Sequence, residues 1–163
     1  MKKVSRDTPL SELTLRKYEK PGNVRDRELA KKICLSLGLL QPGDSRDVVT
    51  DVLLVLLKAK QKKEWLTSSE IEGRVISSRK RYRAQLAGIA SSNIRRQIKR
   101  IRALLLVEKL KNHYRIVEFD SLRKLFAEKV ELFLLNSILS RVNEYLDEAD
   151  KVFSAKRKKK KKR

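Results

Sequence analysis

The sequence predicts a mainly α-helical chain with one small β-hairpin. Three observations carry that prediction. Apolar positions recur at helical spacing in several segments that open on capping residues or close on glycine; two short β-capable runs flank an asparagine; and a late stripe keeps a 3-4 rhythm for almost twenty residues. With 163 residues and a 40% hydrophobic content, there is enough apolar material for one ordinary core.

Residues 1–24 are poor in apolar positions and end near Pro21-Gly22, which predicts a flexible or partly ordered arm with one short ordered piece around Leu10 to Tyr18. Residues 25–44 form a helix and turn. Leu29, Ile33, Cys34 and Leu37 follow helical spacing, Gly38 stands where a left-handed C-cap closes a helix, and Gln41-Pro42-Gly43-Asp44 reads as a turn. Ser45 is then the expected cap of a second helix, whose face Val48, Val49, Val52, Leu53, Leu56, Leu57 is apolar enough to be the centre of the core.

Thr67 followed by Glu70 spells a capping box, with Leu66 and Ile71 placed as a hydrophobic staple. The helix that starts there is expected to be short, to turn Ile71, Val75 and Ile76 inward, and to dissolve into Ser77-Ser78-Arg79-Lys80-Arg81-Tyr82-Arg83; no structure is assigned to 77–90. Ser91-Ser92 opens a further helix, with Ile94, Ile98, Ile101 and Leu105 on one face and cations on the other. Leu106 to Lys111 and Tyr114 to Phe119 form the hairpin, turning at Asn112-His113. Asp120 is the expected cap of the last helical segment, residues 120–155.

Charge is distributed unevenly. The chain carries +21, with 41 Lys and Arg against 20 Asp and Glu. Gly73 to Val117 holds thirteen basic residues and one acid, Glu108, and the last eight residues, Lys156, Arg157, Lys158, Lys159, Lys160, Lys161, Lys162 and Arg163, are all basic. A generally solvated basic surface would not empty so long a stretch of acids. A central segment plus a disordered tail (156–163) points to a polyanion reader with an electrostatic arm.

Several function classes are disfavoured. One cysteine and one histidine, Cys34 and His113, cannot build a structural zinc site, and no metal or other cofactor is expected. Gly38 to Ser45 has the glycine and serine spacing of a phosphate loop, but Asp44 replaces its lysine. Asp47 and Asp51 share a helix face without the pocket a catalytic carboxylate pair needs, and His113 reads as a turn residue rather than a base. The expectation is therefore a non-enzyme, with no catalytic residues. The absence of an apolar run of spanning length and the polar residues after Met1-Lys2-Lys3-Val4 predict a cytoplasmic, nucleoid-associated protein without a membrane partner. Abundant Lys, Arg and Glu lean toward a thermophile's composition.

Helix, capped helix, basic helix and hairpin, in that order over residues 45–119, are the succession of a winged helix-turn-helix domain. The run Gly88-Ile89-Ala90-Ser91-Ser92-Asn93-Ile94-Arg95-Arg96-Gln97-Ile98-Lys99-Arg100-Ile101 resembles the turn and recognition helix of bacterial and archaeal winged-helix transcription regulators. Leu104-Leu105-Leu106-Val107-Glu108-Lys109 and Tyr114-Arg115-Ile116 resemble the way those proteins enter the wing. The sequence departs from them in the length and basicity of Ile76 to Ala90.

A helix laid in the major groove presents its first turn and outer face to base edges, where Arg grips guanine and Asn or Gln grips adenine. Ser92, Asn93, Arg95, Arg96, Lys99 and Arg100 on the helix 92–105 are the base-reading candidates. Arg79, Lys80, Arg81, Arg83, Lys109, Lys111, His113 and Arg115 are candidates for phosphate or minor-groove contact, and the tail for phosphates. Tyr82 is open to two roles, stacking on nucleic acid or pinning a loop to the core. Leu135, Ile138, Leu139, Val142, Tyr145 and Leu146 form a stripe that needs a partner, either a second chain or this chain's own core. The expected function is that of a sequence-reading or architectural DNA-binding homodimer, a transcription regulator or chromatin-associated factor, with double-stranded DNA as partner. The alternatives are an RNA-binding or ribosome-associated protein using the same face, and a protein-interaction module with a solubilising tail.

Overall fold

The computed structural model describes residues 7–155; the basic tail 156–163 and residues 1–6 lie outside the described residues. The chain is mainly helical, with a small three-stranded antiparallel sheet. Its centre is helix α2 (Val48–Gln61), which buries Val48, Val49, Val52, Leu53, Leu56 and Ala59 and packs against α1 (Asp26–Ser36), α3 (Ser68–Arg81), α4 (Ser91–Ala103) and strand β3 (His113–Ile116). Full burial of each of these valines and leucines is worth about 1.5–3 kcal/mol.

Helix α1 buries Ala30 and Cys34, and burial pushes the Cys34 thiol up to about 12, which makes it an apolar core residue at neutral pH. Leu29 departs from the predicted stripe and is 40% exposed. Past α1, Gly38 adopts φ +70°, and a Cβ on it would come within 2.5 Å of the Thr14 Cβ. That close approach belongs to the arm, which forms no helix or strand between residues 7 and 25 but runs as a strap across the end of α1. Arg16 fastens it: its N–H donates to the Ser36 carbonyl and its guanidinium to the carbonyls of Leu35 and Leu40 and to the Gln41 side chain.

Ser45 does not cap α2. The helix begins three residues later, because Asp47, the residue before it, is held by arginines, while the Asp44 carboxylate accepts the Arg46 N–H in the turn. At α3, Thr67 accepts the Glu70 N–H and Glu70 accepts the Thr67 N–H, completing the box. The helix does not dissolve after Ile76. It continues to Arg81, since Ser78 and Arg79 turn inward onto Asp51 and tertiary bonding outweighs the weak propensity of the serines.

Helix α4 buries Ile94, Ile98 and Ile101, but ends two residues before Leu105, whose φ of +59° takes it out of the helix; Leu104 fills the core instead. Strand β2 (Val107–Leu110) pairs with β3 through a turn at Lys111-Asn112, both with positive φ. The turn is thus one residue earlier than predicted, and His113 lies in the strand, opposite Leu110 and Thr67. Strand β1 (Leu66–Thr67) joins the other edge of β3, in the order β1-β3-β2. Two residues are too few for alternation to betray a strand.

The second hairpin strand stops at Ile116 rather than Phe119, where Glu118 and Phe119 take positive φ. Ser121, not Asp120, caps the last helical run: its hydroxyl accepts the Lys124 N–H, while Asp120 accepts the Ser121 N–H and pairs with Lys124. The run comprises α5 (Leu122–Leu125), a π-helical stretch Phe126–Leu135 and α6 (Asn136–Val152). Leu125 and Val130 dock it on the core, whereas no residue of α6 is buried.

Candidate nucleic-acid interface

The three isoleucines of α4 face inward at i, i+4 and i+7, so Ser92, Arg95, Arg96 and Lys99 are exposed on the other side. Among the described residues no carboxylate forms an ion pair with any cation of this helix, and its first turn holds no acid. The nearest carboxylate contact is at its start, where the Ser91 hydroxyl donates to Glu72 of α3, and the cations of the outer face have no acid paired to them among the described residues.

Two of the six predicted readers are committed within the protein. Asn93 donates to the Gly88 carbonyl at 2.7 Å and accepts from Gln97 at 3.1 Å and from Arg96 at 3.3 Å, which pins the turn that leads into α4. The Arg100 guanidinium donates to the Leu39 carbonyl at 2.7 Å and to Gln97, tying α4 to the segment that follows α1.

The phosphate candidates divide as well. Lys80, Arg81 and Arg83 are exposed at the end of α3 and the start of its loop, with Lys58 and Arg81 each about 6 Å from the Tyr82 ring. Tyr82 is half-buried between these cations. On the hairpin, Lys109, Lys111 and His113 are exposed, the first beside Tyr114.

Arg115 is half-buried rather than free on the hairpin. Its guanidinium lies against both Trp65 and Phe119, 4.2 and 4.8 Å from the ring centres, and pairs with Glu108. Partial burial would raise the Glu108 carboxyl, but the Glu118 N–H and the Arg115 guanidinium hold it below the usual range.

Arg79 is likewise not a surface cation. It is 1% exposed and donates to Asp47 at 3.0 Å, Asp51 at 2.7 Å and the Gln85 carbonyl at 2.6 Å. Arg27 from α1 donates to the same two carboxylates, and Ser78 to Asp51. Burial alone would raise Asp47, yet the hydrogen bonds from Arg27 and Arg79 lower it, and Arg27 is raised in turn against its own desolvation. The cluster clamps α1, α2, α3 and the loop before α4, so it positions the basic helix without touching a ligand. Its signal in the sequence was the phase of Arg79, eight residues after Ile71 and four after Val75, on the buried face.

On the C-terminal stripe, Leu135 and Ile138 are half-buried, and Leu139, Val142, Tyr145 and Leu146 are exposed, Tyr145 to 74%. None of the helices among the described residues is long and apolar enough to cross a membrane. No family model, curated protein or solved structure matches this chain.

Proposed function

We propose that this chain is a winged helix-turn-helix protein that binds double-stranded DNA as a homodimer and acts as a transcription regulator at the nucleoid. The observation that carries the reading is the α4 face, where Arg95, Arg96 and Lys99 stand exposed with no carboxylate among the described residues paired to them. A rigid helix offering unpaired cations suits a groove whose walls are phosphates and whose floor carries acceptors for Arg. The order of elements supports it: α2, the capped α3 and the basic α4 pack together, and the hairpin follows at once. So does the length of α3, which shortens the connection between the two helices to residues 82–90 and narrows the departure from the resembling regulators.

In this reading Ser92, Arg95, Arg96 and Lys99 face base edges, while Lys80, Arg81, Arg83, Lys109, Lys111, His113 and the basic tail take phosphates. The exposed stripe of α6 supports pairing of two chains, because a second copy covers those side chains with the same apolar face. No catalytic step and no cofactor enters the proposal.

Fluorescence anisotropy with a labelled duplex and an RNA stem-loop of matching sequence, titrated with salt, tests it. The duplex should bind more tightly, with log K falling by about 0.9 per log unit of salt for each phosphate contacted. Equal or tighter binding of the RNA would replace DNA by RNA as the partner.

A further inference from the structure

An apolar cavity of about 380 Å³ opens between the N-terminal strap, α1 and the root of the C-terminal helix. Val24, Leu29, Ile33, Leu53, Leu106 and Phe126 are among its lining, so five separate parts of the chain meet there. Leu29, out of place on a core stripe, lines it while 40% exposed. The charged lining is mostly cationic: Lys20, Lys32 and Arg123 against a single acid, Glu19. Lys32 binds Glu19 and lies over the Tyr18 ring, so its charge is already engaged. Lys20 and Arg123 have no ion pair among the described residues.

We propose that this cavity binds a small amphipathic anion, with its apolar body among the leucines and its carboxylate on Arg123 and Lys20. The volume lies in the range of about 300–1,000 Å³ usual for ligand sites, and an apolar chamber with a few convergent polar groups is their usual make-up. The charge selects the ligand. A carboxylate at the mouth gains charge-assisted bonds, to which Arg is suited by its paired donors, whereas an amine meets two unpaired cations. A neutral alcohol gains only the apolar contacts. Because the cavity touches both the strap and the root of the C-terminal helix, its occupant would contact parts that lie outside the α3–α4 pair.

Calorimetry on the full chain without nucleic acid tests the site, using decanoate, decan-1-ol and decylamine below their micellar concentrations. Decanoate should saturate at one per chain and bind at least about tenfold more tightly than decylamine, as one lost charge contact of about 1.4 kcal/mol requires. Arg123→Gln should weaken decanoate about tenfold and leave decan-1-ol unchanged, while Lys62→Gln, a cation remote from the lining, should alter neither. Leu29→Trp, at a half-open position that melting curves should show to be tolerated, should abolish both. Equal affinity for all three compounds, weakening of decanoate by Lys62→Gln as much as by Arg123→Gln, or binding unaffected by Leu29→Trp would overturn the proposal. So would a wild-type chain that binds no decanoate but turns from dimer to monomer with Leu29→Trp, since the cavity would then seat a second copy.

Discussion

Arg79 reaches from α3 to Asp51 on α2, Nη1 to Oδ2 at 2.7 Å, with both side chains almost wholly buried. The same guanidinium also bonds Asp47 and the Gln85 carbonyl, so one side chain fixes the end of α3 and the loop that delivers α4.

Replacing Arg79 by Met removes one of the two hydrogen bonds accepted by the Asp47 carboxylate and one of the four accepted by Asp51. Removal of one partner from a buried ion pair typically costs about 3–5 kcal/mol. Arg81→Gln, two residues away on the exposed side, should change stability by less than about 0.5 kcal/mol. Urea unfolding of the two variants distinguishes them; equal effects would mean that Arg79 is a surface cation.

The cluster also sets an acid limit. Asp47 titrates below the ordinary carboxylate value when folded, so it contributes stability fully above its unfolded pKa of about 3.9 and loses it as pH falls through the lower folded value. Melting temperature should therefore drop on acidification below about pH 4. Asp47→Asn should melt lower at neutral pH and show a shallower acid limb. A parallel pair of pH profiles would contradict this assignment.

Gly38→Ala tests the strap. The new methyl would need both a left-handed backbone and the space held by Thr14, so the loss should exceed about 1 kcal/mol and expose Arg16-Lys17 to trypsin. Unchanged cleavage kinetics there would show that the strap does not depend on that contact.

Much of this fold was legible because its signals are local. The capping box at Thr67-Glu70, the glycine after α1 and the isoleucine face of α4 each follow from residues within two turns of one another. What failed depended on distant partners. The sequence of α3 past Ile76 reads as a weak cationic coil until Asp47 and Asp51, some 28 to 32 residues earlier, are placed beside Arg79. Arg115 reads as a free wing cation until Trp65 and Phe119 close on it, and Arg100 as a reader until the Leu39 carbonyl meets it. Arg79 is the clearest case: its charge predicted exposure, and carboxylates remote in sequence bury it.

The α6 stripe supplies the fourth test. Leu139 and Leu146 lie two turns apart and about half exposed, and Leu139→Asp with Leu146→Asp should convert a dimer to a folded monomer by light scattering. A wild-type monomer at micromolar concentration would remove the dimer from the proposal.

The central claim is that the exposed face of α4 reads bases. Selection from random duplexes with wild type, Arg96→Ala, Lys99→Ala and Arg100→Ala tests it most directly. Arg96→Ala and Lys99→Ala should lose discrimination at one or two base positions, by about 1–3 kcal/mol where a bidentate contact is removed. Arg100→Ala, whose guanidinium is engaged with Leu39 and Gln97, should keep the wild-type preference. Identical, flat preference profiles for wild type and all three variants would show that this face reads no bases in duplex DNA.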